Sequence, residues 1–172
     1  LTDVFAVQDD VTRQIIAALQ TKLGELTPTR GNNPLTSSAE AYDLYLRGRT
    51  YKDRRTQQTN TRAQALFATA IELDKAFAAA YAELGHTKLL AWYYGWSEGT
   101  AAIEDAEQVA LKAVALDRSL PQAHDHLAWI LAWQNRIDEA IAAARQATAL
   151  DTNFASGYST LSTMLSFGGE SA

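Results

Sequence analysis

The feature that most constrains this chain is a short segment that occurs three times. Each copy has an alanine, two variable residues, a leucine and an aspartate, and the copies occupy residues 70–74, 113–117 and 147–151. The last two copies lie 34 residues apart. A repeat of that length is typical of two antiparallel helices that bury their apolar faces by stacking on neighbouring units. The sequence therefore predicts an all-α solenoid.

The spacing of large and small residues resembles the tetratricopeptide repeat (TPR), in which small residues at positions 8, 20 and 27 let two helices pack closely. Residues 121–154 match without a gap, residues 78–117 match with nine additional residues, and residues 41–74 match with three. A fourth unit at 155–169 contains only its first helix. The resemblance implies a right-handed superhelical TPR solenoid over residues 38–172. The small residues that carry it are Gly48, Ala63, Ala70, Gly85, Ala106, Ala113, Ala128, Ala140 and Ala147.

The ends of the repeat helices carry local signals. A residue other than the proline of the TPR pattern follows each repeated aspartate, so we expect the aspartate side chains to close the turns; they are Asp74, Asp117 and Asp151. Ser37 and Glu40 predict a capping box at the start of the first repeat helix. Pro121 suits the first turn of a helix, where its missing N–H has no intrahelical partner to lose.

The segment before the repeats shows a different pattern. Its apolar residues form one helical stripe that ends at Gly24, which predicts an amphipathic helix over residues 1–24. Residues 25–37 contain two of the three prolines and predict a linker. The chain begins at Leu1 rather than Met, and we expect it to be a fragment of a longer protein.

Two motifs carry a further resemblance, Asp-Val-Phe-Ala-Val-Gln-Asp-Asp at residues 3–10 and Ala-Tyr-Asp-Leu-Tyr-Leu-Arg-Gly-Arg at 41–49. They resemble the region that joins a TolB-like domain to TPR repeats in bacterial signalling proteins with an N-terminal class III adenylate or guanylate cyclase. In related chains the N-terminal part is a winged-helix transcription-regulator domain. The resemblance implies that residues 1–24 are the last helix of a TolB-like domain. It also implies a non-catalytic interaction module whose parent protein carries the effector.

Composition excludes several classes of function. With 15 basic and 20 acidic side chains the net charge is −5, the wrong sign for a surface that attracts nucleic acid or anionic lipid as a whole. The absence of cysteine excludes disulfides and thiolate metal sites. No apolar run is long enough to span a membrane. We expect a cytoplasmic location, no cofactor, and neither nucleic acid nor membrane as a partner.

One segment matches a catalytic motif. Residues 95–99, Gly-Trp-Ser-Glu-Gly, fit the G-x-S-x-G expression of hydrolases that use a nucleophilic serine, here Ser97. That motif functions on a sharp turn after a strand, and the sequence predicts no strand. We interpret the segment as a loop within the second unit and assign no catalytic residue; a hydrolase remains an alternative.

The three histidines of the chain are candidate metal ligands. His124 and His126 are two residues apart, so on a helix they point to nearly opposite sides, and a site would need His86 or carboxylates from another helix. His124 occupies a buried position of the TPR pattern and is interpreted as a core histidine. The sequence leads us to assign no metal.

Two clusters have open interpretations. The aromatic run at 92–96 fits either packing against the next unit or a partner-binding lip. Six basic residues lie between Arg47 and Arg62 with Asp53 as the only acid, which fits either a solvated face or an anchor for an acidic peptide or a cyclase domain.

In TPR arrays the first helices of successive units line a concave groove. The resemblance implies a protein-binding groove formed by Tyr45, Arg49, Lys52, Glu83, His86, Asp125, His126, Trp129, Trp133, Ser159 and Thr163. The set lacks the lysine and asparagine pattern with which chaperone-binding TPR domains hold a C-terminal carboxylate. We expect the ligand to be a peptide segment or the parent's own effector domain, with aromatic anchors supplying most of the binding energy. Trp129 is expected to affect binding more than folding.

Self-association is the last expectation. The final helix carries Tyr158, Leu161, Met164, Leu165 and Phe167, and the second helix that would cover part of them is missing beyond Gly169. Because internal solenoid units present apolar surface to a successor, we expect a homodimer through this face. An alternative function is therefore a structural or dimerisation element, for example of a winged-helix regulator.

Overall fold

The computed structural model describes residues 35–169, which form seven α-helices and no strand. The predicted amphipathic helix at 1–24 and most of the linker lie outside this range. The helices are α1 (Ala39–Lys52), α2 (Gln57–Leu73), α3 (Ala78–Tyr93), α4 (Thr100–Leu116), α5 (Pro121–Trp133), α6 (Ile137–Leu150) and α7 (Ala155–Phe167). Within the described range, none of them combines the length and apolar character needed to cross a membrane.

The helices stack as repeated pairs. Each helix packs against the next one along the chain, and short connections make consecutive helices antiparallel. In addition α1 packs against α3, α3 against α5, and α5 against α7, so the first helices of the pairs form one continuous row. This arrangement confirms the predicted all-α solenoid.

Small side chains sit where the two helices of a pair approach each other. All seven of the predicted alanines are completely buried; they are Ala63, Ala70, Ala106, Ala113, Ala128, Ala140 and Ala147. A Cβ atom built on Gly48 would lie 2.6 Å from a ring carbon of Phe67, and one on Gly85 would lie 3.2 Å from the backbone of Ala106. The pattern of small residues is therefore a record of close helix packing.

The additional residues of the second unit do not form one long loop. Helices α3 and α4 have 16 and 17 residues, against 13 and 14 for α5 and α6. Their connection is also longer, running from residue 94 to 99 instead of from 134 to 136. The insertion is thus shared by two helices and a loop, so the helices of this unit extend a turn beyond those of the third.

The turns between units form as predicted. The Asp74 carboxylate accepts a hydrogen bond from the Ala76 N–H at 2.9 Å, and Asp117 and Asp151 make the same contact two residues on. Pro121 occupies the first turn of α5.

The predicted capping box at Ser37 and Glu40 is wrong by one residue. Ser38 is the N-cap of α1, and its hydroxyl accepts from the Ala41 N–H at 3.1 Å. The Thr36 hydroxyl accepts from the Ser38 N–H and donates to Asp74, which fixes the entry of the chain into α1. The contact with Asp74 is long-range, and this explains why the local motif pointed to the wrong serine.

The outer face of α7 is less apolar than predicted. Met164 is completely buried, and Leu161 and Leu165 pack against the core formed with α5 and α6. Only Tyr158 and Phe167 of the predicted set are exposed, at 48% and 57%. The uncovered apolar part of α7 is therefore limited to these two residues, because the face of α7 that carries Met164 already packs on the preceding pair.

Candidate functional site

A cavity of about 390 Å³ opens on the row of first helices. It lies over the C-terminal halves of α1, α3 and α5 and the turns that follow α1 and α3. One end is charged and the other is aromatic. Its lining residues are Lys52, Asp53, Arg55, His86, Leu89, Leu90, Tyr93, Tyr94, Trp129 and Trp133.

The predicted groove residues separate into four groups. Lys52, His86, Trp129 and Trp133 line the cavity. Arg49 lies beside it on α1, and its side chain approaches the Glu83 carboxylate at 3.8 Å. Ser159 and Thr163 lie on α7, where the Thr163 hydroxyl donates to the Ser159 carbonyl within the helix.

The other four predicted residues are buried beneath the groove. Tyr45 is 6% exposed and packs against Phe77 with ring centroids 5.1 Å apart, and burial is the main reason that its pKa is raised to about 12. Asp125 accepts a hydrogen bond from the Ser156 hydroxyl at 3.3 Å. The remaining two are Glu83 and His126. These positions support the groove from below and are not free to contact a partner directly.

Sequence reasoning missed six of the lining residues. Leu89 and Leu90 align with Ala132 and Trp133 of the third unit, whereas Tyr93 belongs to the extra turn of α3 and Tyr94 follows it, beyond the TPR pattern. Arg55 follows α1 with a φ of 52°, in the left-handed region. A signal was present, because the aromatic run at 92–96 enters the inserted residues of the second unit, and the basic run at 47–62 spans the three additional residues of the first.

The aromatic end of the cavity resolves the run at 92–96 into two roles. Trp92 is half-buried and packs on the core, with its ring centroid 6.1 Å from that of Trp133. Tyr93 is 50% exposed and contacts Trp133 at 4.9 Å. Tyr94 stacks on Trp96 at 4.8 Å. The run therefore supplies both core packing and an aromatic wall.

The two tryptophans of α5 differ in a way that the sequence did not indicate. Trp129 is half-buried, and its indole N–H donates to the Thr160 hydroxyl on α7 at 3.0 Å. Trp133 is 43% exposed. Trp129 thus joins two units, whereas Trp133 offers the larger free surface.

The basic run points in several directions. Arg47 forms an exposed pair with Asp43, and Arg54 and Arg62 each lie over the Tyr51 ring, 5.3 Å from its centroid. Lys52 and Arg55 face the cavity. The basic residues therefore form neither a single solvated face nor a single binding site for an acidic partner.

A charged cluster forms the floor of the cavity at its cationic end. The Lys52 ammonium donates to Glu83 Oε2 at 2.7 Å. Burial opposes ionisation of Glu83, but the charges of His126, Lys52 and Arg49 outweigh it and hold the pKa of this carboxyl below its ordinary value. Burial, and then the charges of His126, Lys52 and Arg55, lower the pKa of His86 well below its ordinary value. The His86 ring is consequently neutral at pH 7.

His124 is only half-buried and contacts the Arg118 carbonyl at 3.0 Å, so its interpretation as the core histidine is wrong; the buried histidine of α5 is His126, at 7% exposure. The Gly-Trp-Ser-Glu-Gly segment connects helix α3 to helix α4. It has no preceding strand, and Ser97 therefore does not stand on a nucleophile elbow.

Comparison with known sequences finds a relative that covers most of the chain. No model of a known protein family matches the chain. A protein of Rhizobium meliloti (strain 1021) named "Putative adenylate cyclase 3" is 36% identical over 141 residues. The match covers 81% of this chain and 24% of that protein, so the chain spans about a quarter of the relative's length.

Comparison with solved structures identifies the fold. The Sgt2 TPR domain of Aspergillus fumigatus matches with a TM-score of 0.64 and 15% identity, over 81% of this chain and 86% of that one. The first TPR of Spaghetti (RPAP3), bound to the HSP90 peptide SRMEEVD, matches at 0.62 and 17%, over 78% and 99%. The Arabidopsis OM64 TPR domain matches at 0.60 and 18%, over 74% and 96%. The described residues therefore have the TPR fold.

Proposed function

We propose that this chain is a non-catalytic interaction module of a larger bacterial signalling protein, and that it binds an extended segment or a neighbouring domain in the cavity between α1, α3 and α5. The relative named as an adenylate cyclase supports a class III nucleotidyl cyclase as the effector of the parent protein. The RPAP3 domain, which has a peptide bound, supports a peptide-like ligand.

The observation that carries the proposal is the division of one cavity into a charged end and an aromatic end. Tyr93 and Trp133 expose half or nearly half of their surface although each is large and apolar. Aromatic residues of this kind, grouped in a pocket, are the usual anchors of protein interfaces. At the other end Arg55 provides a guanidinium that suits a carboxylate, because its donors form a planar fork. The preferred ligand is thus a segment with an acidic residue near a bulky apolar one.

Selection of random peptides displayed on phage tests this proposal. Enriched sequences should combine Asp or Glu with Leu, Phe, Tyr or Trp, and labelled copies should bind in fluorescence anisotropy. All four tryptophans lie between residues 92 and 133, around the cavity, so their intrinsic fluorescence gives a second signal.

A matched pair of tyrosines provides the control. Tyr93 and Tyr158 are 50% and 48% exposed, but only Tyr93 lines the cavity. Tyr93→Ala should weaken peptide binding by about tenfold, as expected for an interface anchor worth about 1.4 kcal/mol. Tyr158→Ala should leave it unchanged. Failure to enrich any peptide, or equal losses for the two variants, would overturn the proposal.

A second proposal concerns self-association through α7. The exposure of Tyr158 and Phe167 favours it, since both are large apolar side chains on the same helix. The contact would join two copies of this chain in an isologous dimer.

A further inference from the structure

Three potential metal ligands from two helices converge below the cavity. Glu83 and His86 lie three residues apart on α3 and so share one face of that helix. His126 comes from α5, which packs against α3. One ligand atom from each of the three residues lies within 4.8 Å of the others.

The orientation of His126 matches that of a metal-binding histidine. Its Nδ1 lies 3.1 Å from the Ala82 carbonyl oxygen. A carbonyl can only accept, so Nδ1 carries a hydrogen and donates it. A metal ion binds the neutral ring and displaces the second proton, and in that ring the lone pair is on Nε2. Histidines that bind metals almost always hold their second nitrogen in this way, because the hydrogen bond fixes the tautomer and the ring orientation.

His86 supplies the second, independent observation. Its Nδ1 is buried and has no hydrogen-bond partner among the described residues. A buried nitrogen without a partner costs free energy unless an ion or a water satisfies it. The His86 and His126 rings are stacked with centroids 4.2 Å apart and planes inclined by 21°, so this nitrogen belongs to the same cluster.

Glu83 retains one oxygen for a further contact. Lys52 occupies Oε2 at 2.7 Å, whereas the nearest cation to Oε1 is Arg49 at 3.8 Å, beyond a normal hydrogen bond. The ion pair with Lys52 satisfies half of the carboxylate and holds it ionised. The pair with Lys52 provides no hydrogen-bond partner for His86 Nδ1.

We propose that Glu83, His86 and His126 form a binding site for a divalent transition metal ion. Two imidazoles and one carboxylate are the ligand types of zinc sites that keep a fourth position open. Zinc–ligand distances of about 2.0–2.1 Å place tetrahedral ligands roughly 3.3 Å apart. Rotation of the side chains by about 1.5 Å at the widest pair would reach that geometry. The fourth position would face the cavity that His86 lines, where water or a carboxylate of a bound segment completes the site.

This inference goes beyond the proposed function and does not require a bound peptide. Isothermal titration of the untagged, chelator-treated full chain with ZnCl₂ tests it, and MgCl₂ serves as the hard-ion control. We expect one zinc ion per chain with a Kd in the micromolar range or tighter, and no heat from magnesium.

The chain contains its own control histidine. His86→Gln and Glu83→Gln should each weaken zinc binding by at least about tenfold, since each removes a ligand. His124→Gln should have no effect, because His124 lies on α5 but outside the cluster. The melting temperature of each metal-free variant checks that the fold is retained, because His86→Gln also removes the ring that stacks on His126.

An NMR measurement on the wild type avoids any effect of mutation on folding. Zinc should shift the imidazole ¹⁵N signals of two of the three histidines and leave the third in place. Absence of zinc binding by the wild type would overturn the proposal. So would equal weakening by His86→Gln and His124→Gln, or a shift of His124 alone.

Discussion

The close approach of α1 and α2 gives a quantitative test of the fold. Helix α1 contains Gly48, and a Cβ atom at that position would lie 2.6, 2.9 and 2.9 Å from three carbons of the Phe67 ring. Alanine is favoured over glycine inside a helix by about 1 kcal/mol. Helix propensity alone therefore predicts that Gly48→Ala stabilises the protein.

Packing predicts the opposite sign. Phe67 is completely buried, and its ring also contacts Tyr45 at 6.0 Å between centroids, so the ring cannot move away freely. Inserting a methyl group into such a core costs about 1–3 kcal/mol, and the 2.6 Å approach to a completely buried ring places Gly48→Ala in the upper part of that range, at about 2–3 kcal/mol. After the gain in propensity we expect a net loss of about 1–2 kcal/mol. This corresponds to a fall in melting temperature of roughly 3–8 °C for a domain of this size.

Thermal unfolding followed by circular dichroism measures this loss, and a double-mutant cycle identifies its cause. Phe67→Leu removes the ring edge, so Gly48→Ala should cost less in that background and can gain up to about 1 kcal/mol. Gly85→Ala is the control, because its Cβ would meet the backbone of α4 instead of Phe67. A higher melting temperature for Gly48→Ala alone, or an equal cost in both backgrounds, would refute the packing argument.

Three further outcomes are expected. The pKa of Glu83 is held below its ordinary value of 4.5, so its ionisation stabilises the fold above pH 4.5 and this stabilisation is lost as the pH falls towards the folded-state pKa. The acid-unfolding curve of Glu83→Gln should therefore lack the loss of stability that the wild type shows in this pH range. Trp129→Phe should lower the free energy of unfolding by about 1 kcal/mol through loss of the bond to Thr160, and an unchanged urea midpoint would argue against that bond. Light scattering at tens of micromolar should show a dimer that Tyr158→Glu and Phe167→Glu dissociate; a strict monomer, or a dimer that survives both changes, would dismiss self-association through α7.

The local sequence determined the fold to a large extent. The repeated alanines and Gly48 mark contacts between helices that are neighbours along the chain, and such contacts leave a periodic record. The aspartates after each pair act on residues two positions away, so their turns were also predictable. Where a local feature depended on a distant partner, as for Thr36 with Asp74, the prediction shifted by one residue.

The candidate site was decided by the tertiary structure. Glu83 and His126 are 43 positions apart, and only the packing of α3 on α5 brings their side chains together. The sequence showed that His124 and His126 point in different directions, but it could not show which of them faces α3. The basic residues likewise contact different partners, which are Tyr51, Glu83 and the cavity. Which partner each one contacts depends on the rotation of the helices, and charge composition does not predict that rotation. The repeated residues make the packing contacts that all units share, and the sequence pattern therefore predicts them. The site is formed by residues that occur in single units, so only the tertiary structure shows which of them come together.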